Sequence, residues 1–122
     1  MSYQMTATFE GDLLHVHVTA QDSYETSLRF FTELADVCRK HDCRRILAVS
    51  DSTPLSIMAA FDHHEILSNV GFTMQYSLAW VEKNPEARKI DEFIEDVLAN
   101  RAVIRARVFS DESDGRQWLL AD

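Results

Sequence analysis

The sequence predicts an α/β fold: a mixed, mostly parallel five-stranded sheet with helices packed on it, in the order β-β-α-β-α-β-α-β-α. Three observations lead there. The N-terminal region alternates apolar and polar residues at the period of a strand pair. Ile46-Leu47-Ala48-Val49 is an unbroken apolar run, as in a strand covered on both faces. Stretches with helical periodicity then alternate with further strand-like runs, the signature of a parallel sheet with crossover helices.

Met5, Ala7 and Phe9 alternate with Gln4, Thr6 and Thr8, and Leu14, Val16 and Val18 alternate with His15, His17 and Thr19. The turn signal Glu10-Gly11-Asp12 lies between them, so the two runs form a hairpin. The first helix starts at Asp22, with Glu25 completing a capping box. Its apolar face carries Tyr24, Leu28, Phe31, Ala35 and Cys38, widened by Leu34 and Val37. Arg39-Lys40-His41 closes it, where positive charge suits the helix dipole. After the apolar strand, Ser50-Asp51-Ser52-Thr53-Pro54 is a loop. A helix from about Leu55 to Asn69 follows, with Thr53 as cap and Pro54 in its first turn. Gly71 stops it. A strand spans Tyr76 to Val81. Asn84-Pro85 opens a third helix with Ala87, Ile90, Phe93, Ile94, Val97 and Leu98 on one side and Asp91, Glu92, Glu95 and Asp96 largely on the other. Val103 to Phe109 is the last strand, with Arg105 and Arg107 on one face, and a short helix holds Trp118, Leu119 and Leu120.

Composition narrows the function classes. The 122 residues fit one domain, 1–122, with one core. Twenty Asp and Glu against twelve Lys and Arg give a net charge of −8. That charge repels phosphate backbones and anionic membrane surfaces, so no nucleic-acid partner is expected. No run approaches transmembrane length, so no integral membrane segment is expected either. The N-terminus lacks a basic start followed by an apolar stretch. Cys38 and Cys43 read as two reduced thiols, with a disulfide as the minority alternative. The expected location is the cytoplasm.

Four local patterns bear a family resemblance. They are Thr19-Ala20-Gln21-Asp22 before the first helix, the apolar strand ending in Ser50-Asp51, Ala79-Trp80-Val81, and Val108-Phe109-Ser110-Asp111 followed by Trp118-Leu119. Together with the element order they resemble the small bacterial SpoIIAA-like, or STAS/Sec14-like, proteins across essentially the whole chain. The alanine usual in that family's last helix is replaced around Gly115. The resemblance implies a β-α superhelical arrangement, often a homodimer, and in many members no assigned activity. Anti-sigma-factor antagonists of this type are phosphorylated on a serine at the start of the second helix, within Asp-Ser-Ser-Gly. The nearest match is Asp51-Ser52-Thr53-Pro54, which sets Thr53 at the acceptor position with Pro54 in place of the glycine. A second register sets Ser56 there instead.

Other constellations carry weaker chemistry. Asp62-His63-His64 spells a phosphoesterase metal motif, but on a helix successive side chains diverge by about 100° and cannot share one ion. His15 and His17 project from one strand face, a geometry that holds zinc only with further ligands, and none has an obvious source. No nucleophile elbow or glycine-rich phosphate loop exists, and three glycines leave little room for one. The carboxylates of the third helix suit a solvated face. No catalytic residue, metal or cofactor is therefore expected.

The best functional candidate is the loop after the apolar strand, with Asp51, Ser52, Thr53 and Ser56. It sits where α/β sheets place ligands and where helix N–H groups favour an anion; plain capping is the competing reading. The second helix offers Asp62, His63 and Glu65 as an interaction surface. The expected function is a non-enzymatic regulatory or protein-interaction module. The alternative is a carrier or sensor of a small apolar or lipid-like ligand, held near Phe72, Met74, Tyr76 and Trp80; these residues can equally be core or a dimer face.

Overall fold

The computed structural model describes residues 3–20 and 23–121. Its elements are β1 (Tyr3–Glu10), β2 (Leu13–Ala20), α1 (Tyr24–His41), β3 (Arg45–Ser52), α2 (Ile57–Phe61), α3 (His63–Asn69), β4 (Ser77–Glu82), α4 (Pro85–Asn100), β5 (Arg105–Phe109) and α5 (Glu112–Leu120). The sheet has five strands in the order β1-β2-β3-β4-β5. β1 and β2 are antiparallel, joined through Gly11-Asp12. Gly11 has φ +62°, which suits the first central position of a two-residue hairpin turn. The other pairings are parallel.

Because the parallel strands follow one another in space as in sequence, crossovers of one hand lay their helices on one face. The main core confirms this. Leu14, Val16 and Val18 of β2, Ile46 and Ala48 of β3 and Leu78 of β4 pack there against Phe30, Phe31 and Leu34 of α1, Ile66 and Leu67 of α3 and Leu98 of α4. A smaller core of Leu13, Leu47, Val49, Ala79, Val81 and Leu119 lies on the opposite face under α5. β3 is thus buried on both sides, which accounts for its continuous apolar run. A Cβ on Gly115 would stand 3.2 Å from both Leu47 and Val81 side chains, so the glycine lets α5 lie directly on the sheet.

Several boundaries differ from the sequence expectation. α1 is capped by Ser23, whose Oγ accepts the Thr26 N–H at 3.1 Å; Asp22 lies outside the described residues. Its buried face is rotated as well: Ser27 and Phe30 point inward, while Tyr24 and Leu28 are exposed. The expected helix from Leu55 to Asn69 is two short helices that meet at Asp62. Ser56 caps the first of them, accepting the Ala59 N–H at 3.2 Å, so Thr53 is not the cap and Pro54 lies ahead of the helix. β4 runs one residue further than expected, to Glu82, and β5 starts at Arg105. On α4, Asp91 is buried against the core rather than solvated. Trp80 and Tyr76 pack on the main core, Phe72 belongs to it, and Met74 is exposed.

Candidate functional site

The carboxyl ends of β3 and β4 are joined by a buried polar cluster built on Glu82. Strand alternation turns Trp80 and Glu82 to the helix-covered face, and Glu82 is 1% exposed. Its Oε2 accepts the backbone N–H of Ser52 at 3.1 Å and of Asn84 at 3.2 Å, and its Oε1 lies 3.4 Å from the Trp80 indole N–H. The Asn84 amide donates to the Ser52 carbonyl at 3.0 Å, and Arg88 donates twice to the Glu82 carbonyl. Ser50 and Ser52 share a hydroxyl–hydroxyl bond of 2.6 Å beside them. These bonds satisfy a carboxylate that would otherwise be expensive to bury. They also fix where the chain leaves β3.

That exit aims the segment 53–56 across the helix layer. Leu55 is buried and anchors the segment, while Thr53 and Ser56 are exposed. α2 then carries three exposed apolar side chains: Ile57 at 57%, Met58 at 79% and Phe61 at 38%. Arg101 sits over the Phe61 ring at 5.2 Å, and the His64 ring meets Phe61 at 4.9 Å. Glu65 is exposed and Asp62 half-buried beside them.

His63 does not share that surface. It is 4% exposed and points inward to α1. Its Nδ1 is 2.7 Å from the Ala59 carbonyl and its Nε2 2.9 Å from Ser27 Oγ, with Phe31 edge-on at 6.0 Å. A carbonyl only accepts, so Nδ1 carries the proton and Nε2 receives the Ser27 O–H. Burial pulls the His63 pKa below its ordinary value, against the opposing effects of Ala59 and Asp62. The pair borders an apolar cavity of about 60 Å³ between α1, α3, α4 and the sheet, lined by Phe30, Phe31, Trp80 and Leu98 among others. The Ser27–His63 bond pins α3 to α1, and through the shared Asp62 it positions α2.

The seven candidate residues therefore do not form one site. Asp51 is exposed on the α5 side of the sheet. Ser52 is the last residue of β3 and is buried, not a loop residue. Thr53, Ser56 and Glu65 are exposed around α2. His63 is a packing residue. The apolar patch of Ile57, Met58 and Phe61 was the feature hidden in the sequence.

On the opposite face, His15 meets Glu10 at 2.7 Å, and Arg116 reaches Glu10 at 2.8 Å and Glu112 at 3.4 Å. Hydrogen bonds from His15 and then Arg116 hold the Glu10 carboxyl below its usual range. This network ties α5 to the hairpin. His15 and His17 rings meet at 4.6 Å, tilted by 49°, yet among the described residues no three His, Cys, Asp or Glu side chains converge as a metal site. No described helix is long and apolar enough to cross a membrane.

No family model matches the sequence, and no curated protein matches it. Solved structures do. An anti-sigma factor antagonist from Mycobacterium paratuberculosis superposes with a TM-score of 0.67 at 8% identity, over 98% of this chain and 96% of that one. An uncharacterized protein of the DUF3478 family with a SpoIIAA-like fold, from Shewanella loihica PV-4, superposes with a TM-score of 0.58 at 17% identity, over 96% and 93%. This chain has the SpoIIAA-like fold. The overlap takes in the hairpin, the parallel strands and the helices on both faces. At these identities the likeness is one of SpoIIAA-like architecture, and the chemistry of the site rests on this chain's own residues.

Proposed function

We propose that this chain is a non-enzymatic, cytoplasmic regulatory module that docks a protein partner on α2 and the segment before it. The observation that carries this reading is the exposed Ile57, Met58 and Phe61 cluster. A five-residue helix at the sheet's carboxyl end has no folding reason to turn its largest apolar side chains to water. An apolar centre with a polar rim, here Thr53, Ser56, Glu65 and Arg101, is the anatomy of a protein-binding patch. The shared fold with an anti-sigma factor antagonist supports a partner-binding role.

The rim also supplies a switch. Thr53 and Ser56 are the two hydroxyls adjoining the patch that lie at the surface. A phosphate on either adds about −1.5 to −2 charges beside Ile57 and Met58 and opposes docking of an apolar surface. On Ser56 it also alters the group that caps α2. Ser52, buried under Glu82, is out of a kinase's reach.

The alternative, a carrier of a lipid-like ligand, draws less support. The cavity beside His63 holds about 60 Å³, well under the roughly 150 Å³ that admits benzene in an engineered core.

Native mass spectrometry of the chain isolated from its own host tests the docking reading. The wild type is expected as a defined protein complex, and Met58→Asp as the chain without that partner. A partner retained equally by Met58→Asp contradicts docking on α2.

A further inference from the structure

The two edges of the sheet are built differently. β5 is five residues long and carries exposed Arg105 and Arg107. The outward amide of Val108 is already taken, donating to Glu95 Oε1 of α4 at 2.6 Å. Short length, charge and a covered amide are the devices that keep an edge from recruiting another strand.

β1 is longer, and its one charge, Glu10, sits at the turn end. It runs eight residues without proline, lysine or arginine. It pairs with β2 without a bulge, from Tyr3↔Ala20 to Glu10↔Leu13. Tyr3 donates its hydroxyl to Glu33 of α1, which holds the start of the strand in place. A two-residue turn is closed by a hydrogen-bonded pair, here Glu10 and Leu13. By alternation Gln4, Thr6, Thr8 and Glu10 then bond to β2, and the main-chain groups of Met5, Ala7 and Phe9 line the open edge.

We propose that β1 pairs antiparallel with β1 of a second copy of this chain, about a two-fold axis at Ala7, so that two sheets become one. The strand's own sequence is what selects a second copy. Residues directly opposite in a pair share a face, so a symmetric pairing must centre on a residue, and a hydrogen-bonded centre needs one that faces outward. Ala7 is the central residue that does so. Around it, Met5 stands opposite Phe9 of the second copy on the α1 face, Thr6 opposite Thr8 on the other, and Gln4 opposite Glu10. Every pair joins like with like in polarity, and none sets equal charges against each other. The Met5–Phe9 pairs cover Phe9, which is 46% exposed in the single chain. Apolar and Thr–Thr pairs are those that stabilise antiparallel strands. The pairing adds about six main-chain hydrogen bonds between copies. It leaves α2, which packs on α3 and α4, free on both copies.

Sedimentation equilibrium of the full chain tests this. The wild type is expected to be dimeric at about 100 µM, and Ala7→Lys, which puts two ammonium groups at the axis, to be monomeric with an unchanged circular dichroism spectrum. Hydrogen exchange gives a second readout on the unaltered protein: the amides of Met5, Ala7 and Phe9 are expected to slow as concentration rises. A wild-type monomer, a dimer that Ala7→Lys leaves intact, or exchange at those amides that ignores concentration overturns the proposal.

Discussion

Lowering the pH from 8 to 5.5 perturbs one buried group in particular, His63. In the unfolded chain it takes up a proton near its ordinary value of 6.5, whereas burial lowers its pKa in the fold. Below 6.5 the unfolded chain therefore binds a proton that the fold refuses, and stability falls as pH falls. It is fully present above 6.5 and continues to drop until the folded pKa is reached. Protonation of the unfolded chain sets a ceiling on the loss at pH 5.5 of RT ln 11, about 1.4 kcal/mol. The structural reason is burial: His63 is 4% exposed, and a charged ring there would lose its water. With a urea slope of about 2 kcal/mol/M, the midpoint moves down by no more than about 0.7 M. Urea titrations at several pH values, followed by the fluorescence of Trp80 and Trp118, measure it. His63→Gln keeps an acceptor for Ser27 but does not titrate. Its midpoint is expected to vary less with pH than the wild type's, by an amount that the same ceiling of about 0.7 M limits. Parallel curves for the two proteins would refute the reasoning, since the other histidines and carboxylates are common to both.

Other outcomes follow from the same packing. Glu82→Gln sets an amide donor against either the Trp80 indole N–H or the Ser52 and Asn84 N–H groups, and is expected to cost about 1–3 kcal/mol in urea unfolding; an unchanged midpoint would show that the cluster is not satisfied as described. Burial raises the Cys38 thiol pKa to about 12, and Cys43 is buried as well. Both thiols are therefore expected to resist Ellman's reagent at pH 8 in the native state and to react on unfolding. Fast labelling without denaturant would contradict the burial.

Much of this architecture is legible in the sequence because it is written in local periodicity. Alternation in Met5, Ala7 and Phe9 and in Leu14, Val16 and Val18 marks the hairpin, and the run from Ile46 to Val49 marks the strand covered on both faces. Asn84-Pro85 marks the start of α4. The candidate site is less legible, and the reasons are physical. Ile57, Met58 and Phe61 look like a core stripe when read in one helix with Ile66 and Leu67. The break at Asp62 resets the phase, so Ile66 and Leu67 face inward and the first three face water.

Long-range partners hide the rest. His63 looks solvent-exposed in the sequence because its side-chain hydrogen-bond partner Ser27 is 36 residues away. Glu82 looks like an ordinary charged residue at a strand end, and its donors from Ser52 come from a neighbouring strand. The one local hint is its alternation with Trp80, which puts both on the covered face. Helical spacing alone fixes the stripe only to within a residue or two, so it points Tyr24 and Leu28 inward although both are exposed. Ser27, a polar residue, takes the inward place by bonding His63.

The docking role of α2 is tested most directly by a photo-crosslinking amino acid placed at Met58, with Glu92 on the exposed face of α4 as the control position. In the native host one discrete protein adduct is expected from position 58, lost when Phe61→Asp is added, and none from position 92. No adduct at 58, or the same adducts at both positions, would contradict it.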